Sequence, residues 1–398
     1  MVTKISVIGQ GYVGLPLSIH AAESGYLVAG IDLDEFKIQE IKSGNSTIED
    51  ISSERLSRQI YSNQYSISKD FSTIKDSSIV LICVPTPLDF NRKPDLSFVT
   101  NAISEISKHL SPGTLVILES TVEPGTTRNL LLPNLLNETG FKPEQIDVAF
   151  SPERIDPTNK VWNLTSTPKI VSGVTEVAKK RAVEFYKKFI NVIIECESPE
   201  VAETAKLLEN SFRLINISFI NEMAKFCNKL GVDINEVITA ASTKPYGFMP
   251  FHPGLGVGGH CIPVDPVYLS HKARSLDSST SLIDLAISIN DSMPDFFISE
   301  AEKKIGSLKD CKILVIGVAY KPNVSDSRET PVLSLVNGLR KRNASVFWHD
   351  DLVKVWNGEE SVALSSDFDL AIIATPHDYL DLSKIGNVPI LNTRGSIQ

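Results

Sequence analysis

Short apolar segments rich in β-branched residues alternate with segments of helical periodicity along the first half of the chain. Residues 4–8, 27–32, 78–85 and 114–120 have the length and composition of buried strands. Strands that alternate with helices predict a parallel sheet with helices packed on both faces. The same alternation returns over residues 312–395, so we expect a second α/β region there.

A long uninterrupted helical segment separates the two α/β regions. From Pro199 to Leu230 there is no glycine and no further proline, which predicts one helix of about 30 residues. Such a helix suits a spine between two domains or a dimer interface. The predicted fold class is α/β, with two Rossmann-like doubly wound domains joined by a central helical domain. The predicted domain boundaries are 1–197, 198–304 and 305–398.

Composition narrows the class of protein. The 398 residues are 42% hydrophobic and 22% charged, which is typical of a soluble globular chain of two or three domains. A net charge of −9 argues against a general binder of nucleic acid or anionic membranes. Neither a membrane-spanning run nor a signal peptide is expected. The five cysteines are scattered without CxxC spacing, which predicts reduced thiols in the cytoplasm.

A glycine-rich turn follows the first predicted strand. The segment GQGYVG places Gly9, Gly11 and Gly14 between a strand and a helix, and Asp32 ends the next strand. In this context the glycines let the backbone approach a pyrophosphate, and the carboxylate accepts hydrogen bonds from ribose hydroxyls. Because Asp32 would repel a 2′-phosphate, the pattern predicts an NAD site rather than an NADP site.

Other candidate residues follow the ends of the remaining strands in the first region. Thr86, Thr121 and Glu153 each come soon after a predicted strand, as Gly9 and Asp32 do. Ligands of open parallel sheets bind outside the carboxyl ends of the strands. One crevice could therefore hold all five residues, although Glu153 alone is equally an ordinary loop carboxylate.

The long predicted helix carries a polar stripe. Glu203, Lys206, Asn210 and Arg213 recur at helical spacing and share one face. A stripe of this kind is commonly solvated. A lysine and an amide one turn apart also suit the binding of an oxyanion or a sugar hydroxyl, so both interpretations stay open.

The loop HPGLGVGGHCIPVDP surrounds one cysteine, Cys261, with glycines. A nucleophilic cysteine needs backbone N–H groups nearby and access for a substrate carbon, and glycines allow both. Asp265 follows four residues later and could orient or deprotonate a water. The alternative is a tight loop with an incidental thiol. The four glycines of the loop are Gly254, Gly256, Gly258 and Gly259.

A metal site is a different interpretation of the same loop. The ligand types would come from His252, His260, Cys261 and Asp265. However, neighbouring side chains splay apart, and the compact spacing of zinc sites is absent from the sequence. We therefore predict no metal.

The second α/β region carries cations in its predicted loops. Lys321, Arg328 and Arg394 could together hold a phosphorylated substrate, although each one alone is typical of an ordinary surface cation. The region contains Gly317 but lacks a GxGxxG motif, which makes it a poor dinucleotide site.

Taken together, seven stretches of the chain, in order, resemble the UDP-glucose/GDP-mannose dehydrogenase family. They are GQGYVGLPL, CVPTPL, ESTVEPGTT, SPERI, ETAKLLENSFR, GVGGHCIPVDP and VAYKPNVSDSRET. The resemblance implies a Rossmann-like domain for NAD, a second for the nucleotide sugar and a long helix at a homodimer interface. It also implies oxidation of C6 of a nucleotide sugar from alcohol to carboxylate, with two NAD per turnover.

The resemblance further implies residue roles. Cys261 matches the nucleophile, which forms a thiohemiacetal and then a thioester. Lys206 and Asn210 match residues that stabilise the oxyanion. The residues that match positions linked to water activation and thioester hydrolysis are Asp265, Glu153 and Thr121.

Ligand-binding positions carry over by the same motifs. Those implied for the cofactor are Gly9, Gly11, Tyr12, Val13, Gly14, Asp32, Lys37, Thr86, Thr121 and Arg328. Those implied for the substrate are Arg154, Ile155, Lys206, Asn210, Arg213, Phe251, Gly254, Gly258, Lys321 and Arg394.

Departures from the family pattern bear on the substrate. UDP-glucose members usually carry serine and lysine where this chain has His260 and Val264, and PEFLxEG where it has PERIDPT. The form GGHCIPVDP resembles the branch that acts on UDP-N-acetylhexosamines, and we favour UDP-N-acetylglucosamine for surface polysaccharide precursors. The alternatives are UDP-N-acetylmannosamine, UDP-glucose, or a sensor of nucleotide sugars without catalysis.

Overall fold

A computed structural model describes the fold of the chain. It describes residues 2–155, 159 and 161–394. The last residues of the SPERIDP segment, 156–157, and Thr158 lie outside the described residues. The two compact units are Met1–Leu208 and Glu209–Gln398. Both contain parallel sheets covered by helices, which confirms the predicted α/β class. The finer three-domain division stays a prediction.

The first unit is built on one large sheet. Its strands are β1 (Lys4–Ile8), β2 (Leu27–Ile31), β3 (Tyr65–Ser68), β4 (Ile79–Ile82), β5 (Thr114–Leu118), β6 (Ile146–Phe150), β7 (Lys169–Gly173) and β8 (Ile193–Glu195). The strand order is β3-β2-β1-β4-β5-β6-β7-β8. The first six strands of this order, β3-β2-β1-β4-β5-β6, are mutually parallel and have the order of the Rossmann fold. Strand β7 runs antiparallel to β6. The parallel strands therefore share one carboxyl edge.

Helices pack on both faces of this sheet. They are α1 (Gly14–Glu23), α2 (Glu35–Lys42), α3 (Ser53–Tyr61), α4 (Ser97–Ser107), α5 (Leu132–Thr139) and α6 (Glu176–Tyr186). Since successive strand residues point to opposite faces, Ile5 and Val7 of β1 belong to one buried core, and Ile8 belongs to the other. Side-chain caps start several helices: the Asp34 carboxylate accepts the Lys37 N–H at the start of α2.

A long helix, α7 (Pro199–Leu230), contains 32 residues and confirms the predicted uninterrupted helix. Its length follows from the absence of glycine and further proline within it. It carries large apolar residues that are exposed in the single chain: Leu208, Phe212, Phe219, Phe226 and Leu230. Among the helices of the described ranges, none combines the length and apolarity needed to cross a bilayer.

The second unit contains a smaller sheet and further helices. The helices are α8 (Ile234–Ser242), α9 (Asp265–Ser275), α10 (Ser281–Asp291), α11 (Met293–Ile305) and α12 (Val332–Lys341). The strands are β9 (Lys312–Ile316), β10 (Ser345–His349), β11 (Val355–Trp356), β12 (Glu359–Glu360), β13 (Leu370–Ile373) and β14 (Ile390–Asn392). The order β10-β9-β13-β14 is parallel throughout, and β11 and β12 form a separate antiparallel pair. This sheet is the second Rossmann-like arrangement that the sequence predicts.

Candidate active site

The glycine turn after β1 has the geometry of a phosphate-binding turn. Gly9 has φ +87°, and a Cβ there would lie 2.5 Å from the carbonyl oxygen of Cys83. A Cβ on Gly14 would lie 1.8 Å from the Gly9 carbonyl oxygen, so the start of α1 packs directly on the turn. A Cβ on Gly11 would meet nothing within 4 Å. The turn is therefore closed on the protein side and open at Gly11, where a pyrophosphate would approach.

Asp32 follows β2 and is held in place by the same turn. Its Oδ2 accepts the backbone N–H of Gln10 at 2.7 Å and the Lys37 ammonium at 2.8 Å, and its Oδ1 accepts the N–H of Asp34 at 3.0 Å. Burial acts to raise the pKa of Asp32, but the Lys37 and backbone donors outweigh it and lower that pKa. The carboxylate is therefore ionised and suited to ribose hydroxyls. These residues fit NAD, and the structure brings Lys37 to Asp32 as part of one group.

Three predicted site residues lie at the carboxyl edge of neighbouring strands. Thr86, Thr121 and Glu153 follow β4, β5 and β6, which are adjacent in the sheet. Glu153 Oε1 accepts the N–H groups of Arg154 and Ile155 at 2.5 and 2.6 Å, which fixes the direction of its carboxylate. The structure thus brings these residues to the edge where the glycine turn and Asp32 also lie.

Glu203, on the first turns of α7, has a positioning role that sequence reasoning missed. Its side chain is buried, and its two carboxylate oxygens accept the N–H groups of Gly125 and Thr127 at 2.5 and 2.8 Å. Burial raises the pKa of Glu203, although these donors oppose the shift. The carboxylate therefore anchors the segment that follows Thr121. The sequence contains both partners but gives no sign that they meet.

The polar stripe on α7 is mostly buried rather than solvated. Lys206 and Asn210 are one turn apart and only 7% and 6% exposed, whereas Arg213 is exposed in the single chain. Burying a lysine and an amide is costly unless each has a polar partner. The burial contradicts the interpretation of a solvated stripe for Lys206 and Asn210.

Asn210 is directly connected to the cysteine loop. Its Nδ2 donates to Asp265 Oδ2 at 2.6 Å, and the N–H of Asp265 donates to the Cys261 carbonyl oxygen at 2.8 Å. Asp265 is 2% exposed and occupies the first turn of α9, where the helix dipole favours a carboxylate. Cys261 itself is exposed. The second unit thus joins the backbone of Cys261, a buried carboxylate and an amide in one hydrogen-bonded group.

The glycine loop before Cys261 is held by two asparagines that the sequence did not single out. Asn221 Oδ1 accepts the N–H of Gly254 at 2.9 Å, and Asn290 Oδ1 accepts the N–H of Val257 at 2.8 Å. Both asparagines are buried. Amide side chains on α7 and α10 therefore bind the backbone of the glycine loop at two points.

The same loop packs closely on the segment after β9. A Cβ on Gly258 would lie 2.7 Å from the Glu329 carbonyl oxygen and 2.9 Å from Tyr320 Cβ. Gly259 has φ +81° and donates its N–H to the Arg328 carbonyl oxygen at 3.2 Å. These glycines therefore permit close approach of two backbones. Phe251, which precedes the loop, packs with Phe212 at 5.9 Å between ring centroids.

The three cations predicted for the second region lie on or near the glycine loop and the segment after β9. Arg394 Cγ would lie 3.8 Å from a Cβ on Gly254, and burial lowers the pKa of the Arg394 guanidinium. Arg328 forms an ion pair with Asp326 at 2.5 Å. Lys321 Nζ lies 5.9 Å from the Tyr320 ring centroid. A phosphorylated group bound here would meet side-chain cations rather than a helix N-terminus.

The first turn of the second sheet differs from the glycine turn of the first. Gly317 at the end of β9 has φ +85°, but α12 begins only at Val332. The N–H groups of Val318 and Ala319 donate to Asp350 Oδ2 at 2.9 and 3.2 Å. Asp350 follows β10 as Asp32 follows β2, and its carboxylate lies where the turn would otherwise offer donors to a ligand. This agrees with a poor dinucleotide site.

Metal-ligating side chains do not cluster in the part of the chain that the structure describes. No group of three or more His, Cys, Asp or Glu residues there could hold a metal ion.

These features define an oxidoreductase with an NAD-binding Rossmann domain. Three family models match successive parts of the chain, described as the NAD binding domain (3–190), central domain (200–292) and UDP binding domain (314–394) of the UDP-glucose/GDP-mannose dehydrogenase family. The chain belongs to this family, which confirms the resemblance seen in the sequence. It is an NAD-dependent nucleotide-sugar dehydrogenase.

Curated relatives and solved structures agree with this assignment. The chain is 33% identical over 379 residues to the UDP-N-acetyl-D-glucosamine 6-dehydrogenase of Pseudomonas aeruginosa, covering 94% of this chain and 87% of that protein. It is 36% identical over 382 residues to the UDP-N-acetyl-D-mannosamine dehydrogenase of Pyrococcus horikoshii, covering 92% and 89%. A solved UDP-D-ManNAc dehydrogenase from Pyrococcus horikoshii superimposes with a TM-score of 0.91 at 33% identity, covering 100% of this chain and 96% of that chain.

Proposed function

We propose that this enzyme oxidises C6 of a UDP-N-acetylhexosamine from the primary alcohol to the carboxylate, with Cys261 as the acyl carrier. The observation that carries the proposal is the group formed by Asn210, Asp265 and Cys261, joined by contacts of 2.6 and 2.8 Å. An exposed thiol on a residue whose backbone is bonded to Asp265, with Asp265 in turn bonded to Asn210, suits covalent capture of an aldehyde and later hydrolysis.

In the two oxidation steps, residues of the chain capture the aldehyde and stabilise the charge that develops on its oxygen. NAD, which the glycine turn and Asp32 would hold, would supply the hydride acceptor for both oxidation steps. The sulfur of Cys261 adds to the aldehyde carbon and forms a thiohemiacetal, which loses a second hydride and becomes a thioester. Lys206 and Asn210 stabilise the negative oxygen that develops on the captured carbon. Sulfur suits this role because a thiolate both attacks a carbonyl carbon and leaves it readily.

Hydrolysis of the thioester completes the reaction. Glu153 and Asp265 are the carboxylates proposed to activate the water, and Thr121 is proposed to orient it. Glu153 has its Oε1 fixed by two backbone N–H groups, which gives the carboxylate a defined direction. The cations Lys321, Arg328 and Arg394 are proposed to bind the charged part of the nucleotide sugar, together with Arg154, Ile155, Arg213, Phe251, Gly254 and Gly258.

The preferred sugar is proposed to be UDP-N-acetylglucosamine. The form GGHCIPVDP around Cys261 supports an N-acetylhexosamine. The relatives carry names for both epimers: the Pseudomonas aeruginosa protein is a UDP-N-acetyl-D-glucosamine 6-dehydrogenase and the Pyrococcus horikoshii protein a UDP-N-acetyl-D-mannosamine dehydrogenase. UDP-N-acetylmannosamine is accordingly the alternative substrate.

Assembly as a homodimer is part of the proposal. The exposed apolar residues of α7 fall at intervals of four and seven: Leu208, Phe212, Phe219, Phe226 and Leu230. Apolar residues at this spacing form a stripe along one side of a helix, as in helix–helix interfaces. A stripe of this size is unusual on a monomer. We propose that α7 of a second copy covers it.

The cellular setting is proposed from the cysteines and the substrate class. All five cysteines are free thiols, and free thiols are typical of the reducing cytoplasm. Nucleotide sugars oxidised there would supply uronic acids for surface polysaccharides.

NADH formation with a panel of UDP-sugars tests the proposed function. We expect the highest kcat/KM with UDP-N-acetylglucosamine and two NADH per sugar oxidised. Cys261→Ala should abolish acid formation, whereas the control Cys311→Ser, at a half-buried thiol in the same unit, should retain it. One NADH per sugar, or full turnover by Cys261→Ala, would contradict the thioester mechanism. A preference for the mannosamine epimer would transfer the assignment to that substrate.

A further inference from the structure

A buried ion pair lies at the carboxyl edge of the first sheet, beside the proposed water site. Glu119 directly follows β5 and Lys169 begins β7, and the Lys169 ammonium donates to Glu119 Oε2 at 2.8 Å. The Lys169 side chain is 6% exposed and the Glu119 side chain is 0% exposed. The Tyr186 hydroxyl donates to the other carboxylate oxygen, and Lys169 Nζ lies 5.0 Å from the Tyr186 ring centroid.

Stability of the fold gives a poor explanation for this pair. Two charges lose their hydration when they are buried, and an apolar pair of similar volume is often equally stable or more stable. Burial raises the pKa of Glu119, while the Lys169 charge acts in the opposite direction. A buried pair that carries this penalty is better explained as one that fixes a local geometry.

Lys169 also holds the peptide that carries Glu153. Its Nζ donates to the Pro152 carbonyl oxygen at 3.2 Å, one residue before Glu153. The Arg154 guanidinium donates to the Pro168 carbonyl oxygen at 2.7 Å, one residue before Lys169. The segments 152–154 and 168–169 are therefore tied together on both sides of Glu153.

Glu119 connects the same lysine to the strand end that carries Thr121. Only Ser120 separates the two residues, and its Oγ donates to the Val84 carbonyl oxygen at 2.7 Å. A shift of the Glu119 carboxylate would therefore displace the backbone just before Thr121. One ion pair therefore joins Glu153 and Thr121, which are two of the three residues proposed to handle the hydrolytic water.

We propose that Lys169 and Glu119 are positioning residues that set the placement of Glu153 relative to Thr121, and thereby the rate of thioester hydrolysis. This inference rests on the proposed function, because it concerns the last step of that reaction. In that step the water oxygen bonds to the thioester carbon while one water proton passes to the Glu153 carboxylate. The C–S bond then breaks, and its electron pair leaves on the Cys261 sulfur as thiolate.

Lys169→Met tests the proposal, because it removes the ammonium while keeping a flexible chain of similar length. Misplacement of a reacting group by about 1 Å can slow a step roughly 100-fold, so we expect steady-state kcat to fall about 10- to 100-fold. Both hydride transfers should persist, so NADH should form in a burst before slow turnover. Intact-mass analysis should then find the acyl adduct on Cys261, with KM for NAD within about twofold of its original value.

Matched variants separate positioning from a merely structural effect. Lys169→Arg keeps a cation and should restore most of kcat, and Lys180→Met, at an exposed lysine of the same unit, should change nothing. Hydrogen exchange of segment 151–155 should be faster in Lys169→Met. An unchanged kcat, or equal slowing of all steps without an adduct, would overturn the proposal.

Two further experiments cover the cases in which Lys169→Met does not fold or the unmodified enzyme is inactive. If Lys169→Met does not fold, Glu119→Gln, which keeps the side-chain shape, should produce the same burst and adduct, and their absence would overturn the proposal. If the unmodified enzyme oxidises no UDP-sugar, the proposed function fails. Unchanged hydrogen exchange at 151–155 in the variants would instead count against the positioning role itself.

Discussion

Asp32 and Asp350 occupy equivalent places in their sheets. Asp32 directly follows β2, the neighbour of β1, and Asp350 directly follows β10, the neighbour of β9. Asp32 accepts one N–H from the glycine turn and the Lys37 ammonium. Asp350 accepts two N–H groups from the turn after β9, from Val318 and Ala319. The same residue type therefore accepts one N–H of the turn together with an ammonium in one sheet, and two N–H groups of the turn in the other.

Asp32→Asn tests the cofactor selectivity of the first sheet. The neutral amide cannot accept ribose hydroxyls as strongly, and it leaves Lys37 available for a 2′-phosphate. Loss of a charged hydrogen bond costs about 2 kcal/mol, so KM for NAD should rise roughly 30-fold while the penalty against NADP shrinks. Steady-state kinetics with both cofactors measure this, with Asp34→Asn as the exposed control. Equal use of NAD and NADP by the unmodified enzyme would contradict the role of Asp32.

His20 on α1 is expected to make the stability of the fold depend on acid. Burial, reinforced by the Arg55 charge, lowers the pKa of His20 to about 4, although Glu23 acts in the opposite direction. The unfolded chain binds a proton near pH 6.5 and the folded chain only near pH 4, so the free energy of unfolding should fall through this window as pH falls. We expect a loss of roughly 2 kcal/mol that His20→Gln does not show.

Urea unfolding of both proteins at pH 7, 5.5 and 4 measures this difference, with the pH values chosen to span the shift from 6.5 to about 4. At pH 7 the His20 proton state makes no contribution, because the ring is neutral in both folded and unfolded chains. Parallel curves for the two proteins across the window would refute the prediction.

At the scale of elements, α7 combines two different faces. Glu203 anchors the segment after Thr121, and Lys206 and Asn210 present buried polar groups one turn apart. A further side carries exposed aromatic residues, including Phe219. A single helix of this length can place a catalytic face and an association face at fixed angles, because the helix repeat sets both.

Phe219→Glu is expected to disrupt the proposed dimer. A charge in the middle of the apolar stripe would be buried on association without a partner, which costs several kcal/mol for the two copies together. Sedimentation at micromolar concentration should show a dimer for the unmodified protein and a monomer for the variant. As a control, Phe98→Glu changes an exposed phenylalanine on α4 and should leave the dimer intact. A monomeric unmodified protein would contradict the interface.

At the scale of the whole molecule, the sequence predicts the fold class and the NAD cofactor well because their signals are local. Gly9, Gly11 and Gly14 lie within one turn, and Asp32 ends the next strand. The unpredicted residues act across the fold. Glu203 binds backbone groups 76 and 78 positions away, and Asn290 reaches a glycine loop 33 positions away. No periodicity identifies such partners, because their pairing depends on how distant elements pack.

Hydrogen exchange with saturating NAD tests whether the cofactor binds at the turn of the first sheet alone or at the turns of both sheets. Binding at about 100 times Kd stabilises the bound form by about 2.7 kcal/mol, so segments 9–14 and 27–37 should exchange up to about 100-fold more slowly. The turn at 317–320 should be unaffected and provides an internal control. Protection of both turns would contradict a single cofactor site in the described part of the chain.

The carboxylate of Asp350 would compete with any dinucleotide for the N–H groups of Val318 and Ala319, because it is attached to the same chain. Burial acts to raise the pKa of Asp350, but the His377 side chain and the backbone donors lower it to about 2, so the group is an anion throughout the physiological range. A ligand attached through the chain has an effective concentration of millimolar or more and cannot diffuse away. A free dinucleotide would have to displace it from the N–H groups of Val318 and Ala319 at every encounter. The second sheet can therefore resemble the first in its strand arrangement while its turn donors at Val318 and Ala319 are already bonded within the protein.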